Sequence, residues 1–595
     1  MTFDIGLTLA IVVGAVVLFA IDKLRVDVIA LIILLTLALT GLVTPTEAFA
    51  GFSNPAVITV WAVYILSAGM LLTGVADRMG RAVLRLSGDS EVRLIVVIML
   101  TCGVMSAFIN NVGATAMLLP VVVGVARRTG VPLSRLLIPL SFASLLGGNM
   151  TLIGTPANIL GAEIMVERGM GEFGFFDFAP TGLIVFAVGV LYMALVGRRL
   201  LPVRETPEDP RALMRRLRDY ISEGAITPEC RLVGKTLRES RLGADFDLTV
   251  ISIVRDGHPV LGVDSRTRIL AGDTLIMKGH AAGLLRAQEE LGIVFGDRSA
   301  PEDLQLEDQD MTVIEATLAP NTHMEGRTLA SVRFRDNYGF DALAIWRRGE
   351  VVTRSLRSLP LQFGDALLLR GSRHRLGALR DSDEFVLLES VDSQPRRSSR
   401  GPIAVLAMAM VITLVMIADV PIATAMVLGA VTMVVSGCLT MEEAYAHIDW
   451  RTVFLVAGML PLGTAMETSG AAQYVADRLL DVAGSLGPLG VLGGIFLLSA
   501  LITQPMSNAA AVVLMVPIAI DTALSLGANV QPFVLATVIG ASTSFLTPVG
   551  HKANVLVFGP GGYKFFDYTR VGAPLTAVIF TTLMLTLPLI WPLVP

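Results

Sequence analysis

"LIVVIMLTCGVMSAFINNVGATAMLLPVVVGVA", residues 94–126, runs for 33 positions without a charged side chain and carries Asn110 and Asn111 at its midpoint. One bilayer crossing takes about 20 residues and two take about 40, so this stretch is too long for one and too short for two. It predicts a hairpin that dips into the membrane, turns at the asparagines and leaves by the same face. The flanking charges agree: Arg93 precedes the run and Arg127, Arg128 and Arg135 follow it, so both ends carry the marks of the cytoplasmic side. Backbone that turns at this depth is tolerated only when buried in protein or lining a cavity. The asparagine pair therefore reads as a re-entrant tip facing a polar site.

A second charge-free run, residues 482–520, carries "QPMSN" at 504–508. Its glycine-rich start (Gly484, Gly487, Gly490) and the lack of nearby basic residues apart from Arg478 predict a hairpin entering from outside. Each hairpin is followed by an apolar segment interrupted by small and helix-breaking residues. In 136–166 these are Gly147, Gly148, Asn149, Gly154 and Pro156, and "FVLATVIGASTSFLTPVGHKANVLVFGPGG" at 533–562 has the same character. The halves share one plan: Asn111, Ala114 and Pro120 recur as Asn508, Ala511 and Pro517 at an offset of 397, and Thr151, Gly154, Ala157 and Asn158 recur as Thr547, Gly550, Ala553 and Asn554 at 396. Span counting gives the halves opposite topology. Inverted repeats with interrupted helices are a mark of secondary transporters, which bind substrate where the breaks meet.

Composition sets the class independently. The 595 residues are 53% hydrophobic and 16% charged, with mean hydropathy +0.68, which indicates a polytopic membrane protein. The formal charge of −5 averages unlike regions, and nothing supports nucleic-acid binding. Cys102, Cys230 and Cys438 are scattered, which excludes a disulfide framework or zinc spacing. The N-terminal apolar run has its positive charges, Lys23 and Arg25, behind it, and reads as a retained span.

The fold expected is a polytopic α-helical membrane protein with two inverted repeats of about five spans plus one hairpin each. Two tandem small α/β domains lie between them. The boundaries are 1–204 for the first membrane half (hairpin about 92–128), 205–300 and 301–395 for the inserted domains, and 396–595 for the second half (hairpin about 485–521). An interfacial helix is expected over 76–93. The insertion is cytoplasmic by its flanking charges, and it repeats at an offset of 92: Ile253-x-Arg255-x-Gly257 matches Ile345-x-Arg347-x-Gly349, and Gly272-Asp273 matches Gly364-Asp365. "LVGKTLRES", "VISIVRDG" and "LAGDTLIMKG" in the first copy resemble the TrkA-C regulatory domain of potassium-channel RCK units. That resemblance implies a module that binds a small molecule or nucleotide and gates its transporter, although neither copy has a glycine-rich phosphate loop.

Tips and breaks together offer helix N-termini to an oxyanion. They also offer carbonyls, Asn111, Asn508 and Ser507 to a hard cation. The four segments hold no carboxylate before Glu163, so Na⁺ coupling is favoured over a carboxylate proton relay. At this point the residues resemble the divalent anion:sodium symporter family: Asn110-Asn111-Val112 and Ser507-Asn508-Ala509 stand at its two Ser-Asn-Thr hairpin motifs, and "GTPAN" at 154–158 matches its helix break. "GFSNPAV" and "VAGMLPLGTAMETSG" are similar to its sulfate-permease branch. The resemblance implies a homodimer in the inner (plasma) membrane, an elevator mechanism, and a small inorganic anion as substrate with Na⁺ as coupling ion and no organic cofactor. It also implies a transporter and not an enzyme.

On this reading the anion contacts Asn110, Asn111, Val112, Gly113, Thr155, Ser507, Asn508, Ala509, Gly550, His551 and Lys552. Na⁺ is held by Asn111, Gly148, Asn149 and Asn158 in one half and by Asn508, Ser544, Thr547 and Asn554 in the other. His551 and Lys552 either contact the anion or snorkel to the interface. Val112 and Ala509 lack the hydroxyl of the family motif, which favours a compact tetrahedral anion such as sulfate over a dicarboxylate. A dicarboxylate symporter, a ligand-gated channel and a binding-only sensor are the alternatives.

Overall fold

A computed structural model gives the architecture. It describes residues 2–21, 24–75, 78, 90–204, 221–246, 248–255, 258–260, 266–278, 281–295, 311–319, 322–347, 350–352, 356–362, 364–380, 382, 384–388 and 397–594. The interfacial helix expected over 76–93 falls almost wholly outside these. The chain separates into two compact units, Met1–Arg204 with Ser390–Pro595, and Glu205–Glu389.

The first unit is helical. Among the described residues eight helices are long and apolar enough to cross a membrane, and four more apolar helices are shorter. Their packing has a two-fold character. Val26–Thr40 of the first half lies along Trp450–Thr468 of the second, while Pro55–Leu72 lies along Ile422–Val435. The repeat also reaches further than the hairpins and breaks. Thr44 and Glu47 form a capping box at the start of Pro45–Ala50, and Thr440 and Glu443, 396 positions on, form another at the start of Met441–His447. Each satisfies otherwise orphaned N–H groups of a short helix leading into a long one.

The first hairpin comprises Glu91–Ser106 and Asn111–Thr129, and the second Gly487–Ile502 and Asn508–Ser525. Both arms of each pack on the leading piece of the following broken helix, Leu137–Gly148 or Val530–Ala541. The trailing pieces, Pro156–Glu167 and Lys552–Phe558, cross over: each packs on the returning arm of the other half's hairpin. This exchange joins the halves into one body.

The second unit holds two five-stranded antiparallel sheets of one topology. In the first, β1 (Ile221–Ala225), β2 (Thr249–Arg255), β3 (His258–Pro259), β4 (Thr274–Lys278) and β5 (Val294–Phe295) lie in the order β3-β2-β4-β1-β5. In the second, β6 (Met311–Leu318), β7 (Phe340–Arg347), β8 (Glu350–Val352), β9 (Ala366–Ser372) and β10 (Phe385–Leu387) lie in the order β10-β6-β9-β7-β8. A register shift falls at the same place in both, between Val250 and Ser252 and between Ala342 and Ala344. The cores correspond at the offset of 92: Ile226, Leu248, Ile253, Leu275 and Met277 against Leu318, Phe340, Ile345, Leu367 and Leu369.

The repeated Arg and Asp explain why the pattern is kept. Arg255 donates to both Asp273 oxygens at 2.7 and 2.9 Å and to Arg268 O, and Leu270 N–H donates to Asp273 Oδ2. Arg347, Asp365, Pro360 and Gln362 repeat every contact. A planar guanidinium meeting a buried carboxylate in this forked way fixes the loop before the central strand.

Burial by itself would raise the Asp273 pKa, but the Arg255 bonds and the Leu270 N–H outweigh it and hold the carboxyl below its ordinary range. The ion pair therefore stabilises the first module above the ordinary carboxylate range, and the contribution is lost as pH falls through the depressed folded-state value. Asp273→Asn strips one partner from the pair and is expected to cost the first module about 3–5 kcal/mol. Hydrogen exchange on the full chain should show faster opening of β2 and β4, with β7 and β9 unchanged.

Candidate functional site

The site is assembled where each hairpin tip meets the break that follows it. Ser106, the last residue of the entering arm, donates to Ser144 O at 2.7 Å, and Thr151 Oγ1 of the first break donates to Ala107 O of the tip. In the second half Gln504 Nε2 donates to Thr543 O at 3.1 Å, and Thr503 Oγ1 lies 3.4 Å from Ser544 Oγ. Inside each break one asparagine closes two carbonyls. Asn158 Nδ2 donates to Gly148 O at 2.9 Å and Thr151 O at 2.7 Å, and Asn554 Nδ2 donates to Ser544 O at 2.7 Å and Thr547 O at 3.3 Å. Ser141 Oγ donates to Asn554 Oδ1 and so links the two breaks.

Asn111 and Asn508 are both buried at the start of the returning arms. Ser106 Oγ lies 2.9 Å from the Asn111 amide and has already given its proton to Ser144 O. The Asn111 nitrogen therefore faces Ser106 Oγ, Ser144 O and Gly154 O, at 2.9, 3.3 and 3.2 Å. Asn508 Oδ1 accepts from Thr503 Oγ1 at 2.9 Å and Ser544 Oγ at 2.8 Å. The buried oxygens of Asn149 and Asn158 have no donor, which suits a cation. Gly148, Asn158, Ser544, Thr547 and Asn554 are thus gathered beside the tips, one group per half, while Asn149 turns its backbone carbonyl to Gly182 of the closing span.

The expected anion contacts divide differently. Asn110 and Ser507 are chemically unlike but do one job: Asn110 Oδ1 accepts from Gly113 N–H at 2.7 Å and Ser507 Oγ from Ala510 N–H at 3.3 Å, each capping its returning helix. Thr155 and His551 likewise cap the trailing pieces, accepting from Ala157 N–H and Ala553 N–H. Since His551 Nδ1 is the acceptor, the ring proton sits on Nε2 and the ring is a neutral donor. Val112 and Gly113 are half-buried on the first turn beside Asn111, and Ala509 is buried beside Asn508. Asn110 also borders a pocket walled by Val60, Val63, Tyr64, Ile153, Pro156 and Ile159. Lys552 departs from the anion-contact reading: its Nζ is 2.7 Å from Asp449 Oδ2, at the head of Trp450–Thr468. Its charge is neutralised there.

Several residues at the site carry no mark in the sequence. Ser106, Ser144, Ser141 and Thr503 are hydroxyls in apolar helices, indistinguishable by spacing from many others. Tyr563, after the "GPGG" turn, is fully buried; its hydroxyl donates to Ser134 O at 2.7 Å and accepts from Ile138 N–H at 3.0 Å. Arg168 is only 8% exposed and joins Asp521 at 2.6 Å to Glu467 at 3.3 Å. Among the described residues no cluster of His, Cys, Asp and Glu would hold a metal, so a bound cation would rest on neutral oxygens.

Paired re-entrant tips against paired helix breaks define a secondary transporter. The comparisons specify which kind. Residues 16–540 match the citrate transporter family, CitMHS, and the chain belongs to it. It is 38% identical to an uncharacterized transporter of Synechocystis over 100% of this chain and 98% of that one. Sodium/sulfate cotransporter 2 of Chlamydomonas reinhardtii is 24% identical over 96% of this chain and 88% of its own. The solved YdaH transporter of Alcanivorax borkumensis is similar at 13% identity and a TM-score of 0.45, covering 94% of this chain and 90% of that one.

The closing span of each half presses on its break through a glycine. A Cβ on Gly182 would come 2.2 Å from Asn149 O, and one on Gly572 would come 2.0 Å from Phe545 O, both impossibly close to backbone. Gly182→Ala and Gly572→Ala are each expected to displace the break, lowering the melting temperature of the purified protein and removing transport. Gly14→Ala in Phe3–Ile21, whose Cβ meets nothing within 4 Å, should change neither.

Proposed function

We propose that this member of the family couples the inward movement of a divalent inorganic anion, sulfate, to Na⁺. The observation that carries the reading is the pair of buried oxygen clusters around Asn111 and Asn508, free of carboxylates, with four capped helix N-termini at the same tips and breaks. The donor-free oxygens of Asn149 and Asn158 in the first half and of Gln504 in the second favour a small hard cation, and first-turn N–H groups favour an oxyanion. The loss of a hydroxyl at Val112 and Ala509, and the sodium/sulfate cotransporters among the relatives, support sulfate. The family's description favours a second reading, symport of citrate or a C4 dicarboxylate, through the same clusters.

The protein is taken to sit in the inner (plasma) membrane as a homodimer, with the two sheet modules cytoplasmic. They act as TrkA-C-like regulators for a small-molecule or nucleotide ligand. An elevator motion would carry the tips and breaks past Pro55–Leu72 and Trp450–Thr468. Arg168–Glu467 and Lys552–Asp449 are the ion pairs such a motion must break.

Labelled sulfate taken up by proteoliposomes should require an inward Na⁺ gradient and resist excess succinate or citrate. Competition by either acid selects the carboxylate reading, and equal uptake under a proton gradient in K⁺ medium sinks Na⁺ coupling. Asn111→Ala and Asn508→Ala should each reduce uptake at least 100-fold while the protein remains folded by size-exclusion profile. Retained transport in either variant moves the site elsewhere.

A further inference from the structure

Gln504 lies in the second tip, buried to 9% exposure. Its Nε2 donates to Ala500 O at 2.8 Å and Thr543 O at 3.1 Å. Both partners are carbonyls, which only accept, so the amide cannot be reversed without setting oxygen against oxygen. The orientation of Oε1 is thereby fixed, and Oε1 has no donor. A buried amide oxygen left in this state is costly, and its surroundings show what it faces. The point a Cβ on Gly550 would occupy lies 3.3 Å from Gln504 Oε1 and 3.2 Å from Thr547 Oγ1, with Ser544 Cβ at 3.3 Å. Two oxygens therefore face the position where Gly550 carries no side chain; Thr547 Oγ1 already accepts from Gly550 N–H at 3.0 Å, which leaves Gln504 Oε1 as the one without a donor.

The first half has no equivalent. Residue 107, which stands where Gln504 stands in the repeat, is alanine, and its backbone carbonyl is already taken by Thr151 Oγ1. An anion would be repelled by an oxygen aimed at it, whereas a hard cation coordinates neutral carbonyl oxygen readily.

We infer that Gln504 Oε1 is a coupling-cation ligand at the second tip, at a position where the first tip has alanine, so that the two halves bind Na⁺ through different sets of ligands. This rests on the Na⁺-coupled reading. The amide has two roles: Nε2 locks the tip onto Thr543 O, and Oε1 faces the ion.

The test uses the purified full-length protein, measuring Na⁺-dependent thermal stabilisation and, in proteoliposomes, the Na⁺ and sulfate dependence of uptake. Gln504→Met keeps length and burial without the carbonyl. Gly550→Ala leaves the Gln504 latch in place and puts a methyl where the oxygens converge. Each should raise the half-saturating Na⁺ concentration at least 10-fold, and Gln504→Met should do so while half-saturating sulfate at saturating Na⁺ moves less than 2-fold. If Gln504→Met fails to fold, the Na⁺-dependent stabilisation of Gly550→Ala measured without anion decides. Unchanged Na⁺ dependence in the folded variants, or equal shifts for Na⁺ and sulfate in Gln504→Met, overturns the inference, the oxygen then holding water. A wild-type protein that Na⁺ does not stabilise overturns the coupling reading itself, a result separable from the first because it appears before any substitution is made.

Discussion

A peptide N–H or C=O without a partner at membrane depth costs several kcal/mol, and this chain interrupts four apolar segments there. Every interruption is closed by another. Ser106 and Thr151 tie the first tip to the first break, Gln504 ties the second tip to the second break, and Ser141 ties break to break. Asn158 and Asn554 each close two carbonyls of their own break with a single amide. Lipid offers no alternative partner, so the network that makes the backbone tolerable also fixes where the remaining oxygens point. Architecture and the proposed ion chemistry rest on one set of hydrogen bonds.

The two-fold exchange follows from the same constraint. Each trailing piece is short, seven residues in Lys552–Phe558, and cannot bury its own face. By packing on the returning arm of the other half it makes each half incomplete alone. Gly182 and Gly572 complete the enclosure by letting the closing spans reach the break carbonyls. A break held on one side by a hairpin and on the other by a closing span is a rigid element, which is what an ion site with sub-ångström demands needs.

The hairpins, the breaks and both repeats were legible in the sequence because each leaves a local trace: an overlong charge-free run, a cluster of small residues inside an apolar segment, a fixed offset. The β modules were legible for the same reason, since the Arg–Asp fork recurs at 92 positions with its backbone acceptors. What could not be read were partners joined only by folding. Ser106 meets Ser144 across 38 positions and Ile138 meets Tyr563 across 425, and neither spacing has a sequence signature. Lys552 shows the limit from the other side: its charge was visible, its neutralisation by Asp449 was not. Asn110 and Ser507 differ as residue types, yet the shared capping geometry makes them equivalent, so the difference between the halves lies less in those letters than in Gln504 against Ala107 and in Gly148 against Ser544.

That neutralisation bears on coupling. With Lys552 paired to Asp449 and His551 held as a neutral cap, no fixed positive side chain at the tips or breaks is left to balance a divalent anion. Helix N-termini supply only about half a charge each, falling off within a turn. On the proposed reading a doubly charged substrate would need co-bound cations to enter a water-poor site, and the cations would need the substrate to relieve their own desolvation. On that proposed reading, pairing off the fixed charge would make anion and Na⁺ mutually dependent, which is the thermodynamic requirement for tight symport.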